Sequence, residues 1–171
     1  QAAVKSFEQA CAETHPDVAM IHQAIAGLGP ILRRRAAAKT WVYMCLSLAH
    51  EEYVSRNGAE PGLRLRHRAN VAMRRWCEGM VMRRCNRVIV MSEFMKQRVQ
   101  AVHGIAGERL HVIPGAVDTK RFAPAADRTA VRRQLGWPVE RTVLVTVRNL
   151  VPRMGLEHFV RAIVMVKAAR P

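Results

Sequence analysis

No apolar run in the 171 residues approaches the ~20 needed to cross a bilayer as a helix, so no helical membrane span is expected. CxxC pairs and Cys/His ligand spacings are also missing. The four cysteines, Cys11, Cys45, Cys77 and Cys85, lie scattered, so reduced, buried thiols of a cytosolic protein are expected and no metal site or cofactor. The first seventeen residues carry acids and lack the apolar stretch of a signal peptide. Acidic residues number 13 against 28 basic ones, leaving a net charge of +15 and a pI near 11.2. Such a surface attracts nucleic acid, anionic membrane or phosphorylated ligands. Aromatics are scarce, at four Phe, three Trp and two Tyr; without aromatic interleaving or a groove-reading motif, nucleic acid is not an expected partner. Lysine is scarcer still among the basic residues (Lys5, Lys39, Lys96, Lys120, Lys167). Because such an arginine bias can follow from genome composition, charge alone names no partner.

Half of the chain is hydrophobic, enough for a core and against wholesale disorder. Residues 2–14 read as a helix with Ala3, Phe7, Ala10 and Cys11 on one face. A strand is expected at Val18–Ile21, a helix over 25–38 with the cluster Arg33-Arg34-Arg35, and a strand at 41–46 covered on both faces. A polar loop should follow from His50-Glu51-Glu52 through Asn57-Gly58 to Pro61-Gly62. The longest helix spans 63–84, where Leu65, Ala69, Met73, Trp76 and Met80 form one apolar stripe and arginines the other faces; the expectation is a helix packed on the sheet with a basic outer surface. Then come a strand at 87–91, a helix capped by Ser92 and ended at Gly104, a strand at 110–113, a helix at 129–135, a strand at 142–147 and a helix at 155–169. Strict alternation predicts an α/β fold, a parallel sheet with helices on both faces. Both ends look cut, so a piece of a larger protein is expected.

The stretch HVIPGAVDTKRFAP, residues 111–124, has the chemistry of a stiff elbow. Pro114 ends a strand because it cannot donate to the ladder, and Gly115 permits a positive φ. Asp118 can cap the turn 119–121, Phe122 is an apolar anchor, and Pro124 releases the chain. An interdomain hinge and an ordinary surface loop both fit this spacing. The stretch VRNLVPRMGLEHF, residues 147–159, leads from a strand end through a loop to a helix start, a geometry that binds phosphate. The following helix would be held by Leu156, Phe159, Val160, Ile163 and Val166.

Three blocks in order, NRVIVMS (86–92), RLHVIPGAVDTKRF (109–122) and VRNLVPRMGLE (147–157), resemble retaining GT-B glycosyltransferases of family 4. The resemblance is strong from Arg87 onward and weak before about residue 80. It implies two Rossmann-like domains with parallel sheets, truncated here at both ends. Residues 1–123 would be the later part of the acceptor domain, ending in the hinge 114–123, and 124–171 the start of the donor domain. It also implies a nucleotide-sugar donor and a saccharide or lipid-linked acceptor. The family's donor-diphosphate Arg and Lys fall on Asn149 and Met154. Arg148 and Arg153 stand one residue earlier. A one-residue shift on a strand turns a side chain to the other face, so Arg153, on the loop beside Gly155, is the better substitute. Many relatives carry a cleft-facing His where this chain has Leu46; His50, Glu51 and His22 are the neighbouring catalytic candidates.

The resemblance therefore implies hexosyl transfer with retention by the intact parent, at the cytoplasmic side and peripheral at the membrane's inner face, where an anionic surface suits the basic helix. The partial chain is expected to be inactive. Asn149, Met154 and Leu46 motivate the alternative of a degenerate, non-catalytic relative serving as a binding or scaffold subunit.

Overall fold

The computed structural model describes residues 2–33, 37–57, 64–151 and 154–169. Two compact units divide the chain, residues 1–115 and 116–171.

The first unit holds α1 (Ala2–Thr14), β1 (Val18–Ile21), α2 (Ala24–Arg33), β2 (Thr40–Cys45), α3 (Ala49–Asn57), α4 (Arg64–Arg84), β3 (Arg87–Val90), α5 (Glu93–His103) and β4 (Leu110–Val112). Its four strands form one parallel, Rossmann-like sheet in the order β1-β2-β3-β4, with Ile21 opposite Tyr43, Cys45 opposite Val90 and Val88 opposite Leu110. That register aligns Ala19, Ile21, Trp41, Tyr43, Cys45, Val88, Val90 and Leu110 on one face, and all eight are buried. A buried aliphatic side chain of this size contributes about 1.5–3 kcal/mol, so this face carries the unit. α1 packs on α2 and α2 on α4, while α5 packs on β3 and β4.

The opposite sheet face differs from expectation. Val18 and Met20 are about half exposed, Ile113 is exposed, and Arg87 and His111 also face outward. Among the described residues no helix covers that side; with neighbouring strands paired in sequence order, right-handed crossovers put their helices on one face.

Local chemistry explains the element ends. The Ser92 side chain accepts from the Met95 N–H, and Gly104, at φ 63°, closes α5 in the left-handed region that glycine reaches without strain. Asn86 Oδ1 accepts from the Trp41 N–H at 2.8 Å, tying the end of α4 to β2. Arg109 donates to the carbonyls of Met82, Arg83 and Cys85, so a cation sits at the negative end of the α4 dipole. Cys45, Cys77 and Cys85 are buried and Cys11 is half-buried.

Two further expectations fail in this unit. Part of the loop expected after β2 is a helix, α3. Its N-terminal cap comes from Glu78, 29 residues away, whose carboxylate oxygens both accept from the Ala49 N–H at 3.1 Å. The second error is the face of α4. Leu65 is 82% exposed, Met73 44% and Trp76 54%, whereas Cys77, Glu78, Val81 and Met82 are buried. The helix thus turns its apolar stripe outward and a partly polar one inward. Similarly, the packed face of α1 is Val4, Phe7 and Cys11, with Ala3 and Ala10 exposed, and the Phe7 ring lies 5.1 Å from Trp41. α2 ends at Arg33; Arg34, Arg35 and the segment 58–63 lie outside the described residues.

The second unit contains α6 (Arg128–Gln134) and α7 (Leu156–Ala169). Asp127 caps α6 by accepting from the Thr129 and Ala130 N–H groups. Buried Arg132 gathers the following loop, donating to the carbonyls of Pro138, Val139 and Arg141. The strand expected at 142–147 is not formed, and Leu144, Val145 and Val147 are exposed. A strand needs a ladder partner to satisfy its backbone, and the described residues of this unit contain none. The expected packing of α7 is likewise absent: Phe159, Val160 and Val166 are exposed, with only Leu156 and Ile163 half-buried.

Candidate functional site

In open parallel sheets, ligands bind outside the carboxyl ends of the strands. At that edge of the first unit, where β1 and β2 end and α2 and α3 begin, lies a cavity of about 640 Å³. β1 delivers His22, β2 delivers Tyr43 and Leu46, α3 delivers Glu52, Tyr53 and Arg56, and α4 reaches in with Arg74. Glu52 is held on two sides, accepting from Ser47 Oγ at 3.0 Å and pairing with Arg56. The Arg74 guanidinium lies 4.6 Å over the Tyr53 ring, a cation–π contact, and Tyr53 also lies 5.2 Å from the His67 ring. Arg74 Nε is buried and has no hydrogen-bond partner. A buried donor left unmade costs about 1–3 kcal/mol, so this N–H is an unmet demand in the first unit. Arg56, paired with Glu52, lines the same cavity, so the wall carries two arginines against one carboxylate.

Under the cavity lies a polar knot. Glu78 is fully buried. It accepts from Tyr43 Oη–H at 3.1 Å and from the Ala49 N–H, and His103 Nε2 stands 3.2 Å from its Oε2. His50 Nδ1 lies 3.8 Å from the same oxygen and is buried without a partner. Burial pushes the Tyr43 phenol far above its ordinary pKa, with the Glu78 charge adding to it. The Cys45 thiol is pushed up to about 12, first by burial and then by Glu78 and Glu51. The His50 imidazole moves down because burial outweighs the pull of Glu78 and Glu51. These groups therefore stay neutral near pH 7, and none is an exposed nucleophile.

The structure places the sequence candidates as follows. His22 is exposed on the cavity wall and Leu46, 58% exposed, lines it too. His50 points away from the cavity into the Glu78 knot, and Glu51 pairs with Arg98 of α5. In the second unit, Arg148 Nη1 donates to the Met154 carbonyl at 2.9 Å, and the Asn149 carbonyl accepts from the Val151 N–H. Since no strand forms there, the argument from strand faces does not apply to Arg148. Gly155 sits at φ 68° just before α7, and Arg153 lies outside the described residues.

Around residues 114–122, Asp118 Oδ1 accepts from the Lys120 and Arg121 N–H groups at 3.0 and 3.1 Å. The last ladder bond before Pro114 is Ile113 N–H to the Val90 carbonyl. The positive φ expected at Gly115 is not adopted; an added Cβ would lie 3.2 Å from Met91 Cε, the movable end of a flexible side chain. Phe122, expected as an apolar anchor, is 66% exposed, with the Arg121 guanidinium 5.4 Å over its ring.

Arg74, Glu78, His103, Tyr43, Tyr53 and Arg56 escaped the sequence reading. Arg74 and Glu78, four apart on one helix, could have been noticed as an inward polar pair. The long-range partners leave no local pattern.

The sequence matches Glycosyltransferase Family 4 over residues 2–121. It is 35% identical over 83 residues to the GDP-mannose-dependent monoacylated alpha-(1-6)-phosphatidylinositol monomannoside mannosyltransferase of Corynebacterium glutamicum, covering 47% of this chain and 22% of that protein. It is 30% identical over 139 residues to the GDP-mannose-dependent alpha-(1-6)-phosphatidylinositol monomannoside mannosyltransferase of Mycolicibacterium smegmatis, covering 81% of this chain and 32% of that protein. Over 85 residues it is 29% identical to the D-inositol 3-phosphate glycosyltransferase of Kineococcus radiotolerans, covering 50% of this chain and 20% of that protein. The chain thus spans a third or less of the length of these relatives.

Proposed function

Because the chain belongs to glycosyltransferase family 4, we propose that it holds the acceptor side of an enzyme that moves a hexose from a nucleotide-sugar donor, with retention, onto a phosphate-bearing polyol or its lipid-linked form. The carrying observation is the cavity at the strand ends, where Arg74 Nε is buried without a partner beside Arg56. Arginine's fixed fork matches phosphate oxygens and binds them with charge-assisted hydrogen bonds. The named relatives support the same chemistry, two using GDP-mannose with phosphatidylinositol mannosides and one an inositol phosphate. Residues 1–123 serve as the later part of the acceptor domain, ending in the hinge 114–123. From 124 onward the donor domain begins, with Arg148, Asn149, Arg153 and Gly155 at the diphosphate. His22 is the titratable cavity group free to meet the acceptor.

The outer face of α4 adds a membrane contact to this reading. Leu65, Met73 and Trp76 are exposed there, flanked by exposed Arg66, Arg68 and Arg83. A helix with apolar anchors between basic residues suits the interface of an anionic membrane, as a lipid-linked acceptor would require. No helix among the described residues is long and apolar enough to cross one.

The test is transfer by the full-length protein from GDP-mannose to inositol-phosphate acceptors and their dephosphorylated counterparts. Arg74→Ala should raise the KM for phosphorylated acceptors at least tenfold and leave the donor KM unchanged. Product NMR should show the donor's anomeric configuration. Equal use of dephosphorylated acceptor, or an unchanged KM in the variant, would overturn the assignment of the anion. No transfer across a panel of donors would favour a non-catalytic binding relative.

A further inference from the structure

We propose that His50, Glu78 and His103 form a site for one divalent transition cation of the zinc type. Three different helices, α3, α4 and α5, each deliver one ligand to the same point. The His50 and His103 nitrogens and one Glu78 oxygen all lie within 4.8 Å of one another. Two of the three spacings are already short: 3.2 Å from His103 Nε2 to Glu78 Oε2 and 3.8 Å from His50 Nδ1 to the same oxygen. A tetrahedral shell with zinc–nitrogen bonds of about 2.0–2.1 Å puts neighbouring ligand atoms about 3.3 Å apart, so closing the shell requires the His50 nitrogen to move inward. Two imidazoles and one carboxylate are a donor set that zinc accepts, with the fourth position left to water.

Independent features favour a cation over a purely hydrogen-bonded knot. His50 Nδ1 is buried and satisfies nothing; a metal ion is the partner it lacks. The Glu78 carboxylate is steered by groups outside the shell, since Tyr43 Oη–H holds its Oε1 and the Ala49 N–H is shared between both oxygens. Such outer partners orient a metal-bound carboxylate. The ion would brace the start of α3 and the end of β2, which line the cavity above it. The role is structural, and it does not depend on the proposed sugar transfer.

The chain, free of any histidine tag and treated with chelator, is titrated with Co2+ while absorption is recorded. One equivalent should bind, give the intense d–d bands of a tetrahedral site, be displaced by Zn2+, and raise the melting temperature. His50→Gln and His103→Gln should each weaken binding at least tenfold, while His111→Gln, on the open sheet face, should not change it. A folded chain that shows no tetrahedral bands overturns the site. So does a Co2+ affinity unaltered by both His50→Gln and His103→Gln. The native titration decides even if a variant fails to fold.

Discussion

Replacing Glu78 by alanine, with chelator present, should be among the most damaging single changes in the first unit. The side chain is fully buried and accepts from Tyr43 Oη–H, from the Ala49 N–H and, at 3.2 Å, meets His103 Nε2. Its removal strands the phenol and the N–H that starts α3, each costing about 1–3 kcal/mol when left unmade, and opens a small void. The sum is about 3–5 kcal/mol. It is a large part of the ~5–15 kcal/mol that stabilises a native domain. Glu78→Gln keeps the volume and one acceptor oxygen, so about 2 kcal/mol is expected, mainly from turning an amide donor toward existing donors. Urea unfolding, followed by far-UV circular dichroism and by fluorescence of buried Trp41, reads both numbers. Exposed Glu108→Ala is the control and should stay within about 0.5 kcal/mol. A loss below 1 kcal/mol for Glu78→Ala, or equal losses for alanine and glutamine, would refute the idea that this carboxylate holds α3, α4 and α5 together.

Gly27→Ala should destabilise even though alanine is the better helix former, because the new Cβ would stand 2.3 Å from Ile21 Cγ2; overpacking of about 1–3 kcal/mol exceeds the gain of about 1 kcal/mol in propensity, as a urea midpoint would show. Ser92→Ala should cost about 1 kcal/mol by leaving the Met95 N–H uncapped, with hydrogen exchange accelerated in the first turn of α5. The double change Leu65→Ser and Trp76→Ser should leave stability within about 0.5 kcal/mol because both side chains are exposed; co-sedimentation of the full-length protein with anionic vesicles should fall in the same variant.

Local signals were legible wherever an element's reason lies within its own residues. The apolar run at 18–21 and the β-branched run at 87–90 became strands β1 and β3, and Ser92 with Gly104 bounded α5. The strand at 142–147 has the same local chemistry and did not form, since pairing is a property of two segments. The second unit offers no described partner. Of the candidate cavity, only His22 and Leu46 were visible beforehand, as residues following strand ends.

Arrangement in space decided the rest, and α4 shows why. Periodicity put Leu65, Met73 and Trp76 inward on the premise that polar residues prefer water. That premise fails when the polar residue has partners elsewhere in the chain: Tyr43, Ala49 and His103 satisfy Glu78, and the Tyr53 ring receives Arg74. By itself, then, the sequence determined the α/β alternation of the first unit and the family, because period, caps and motifs are local. Which face of α4 lies inside, where α3 begins, and how two histidines meet one carboxylate were decided only in three dimensions. Each depends on contacts between groups at least 25 residues apart, and local propensity carries no record of them.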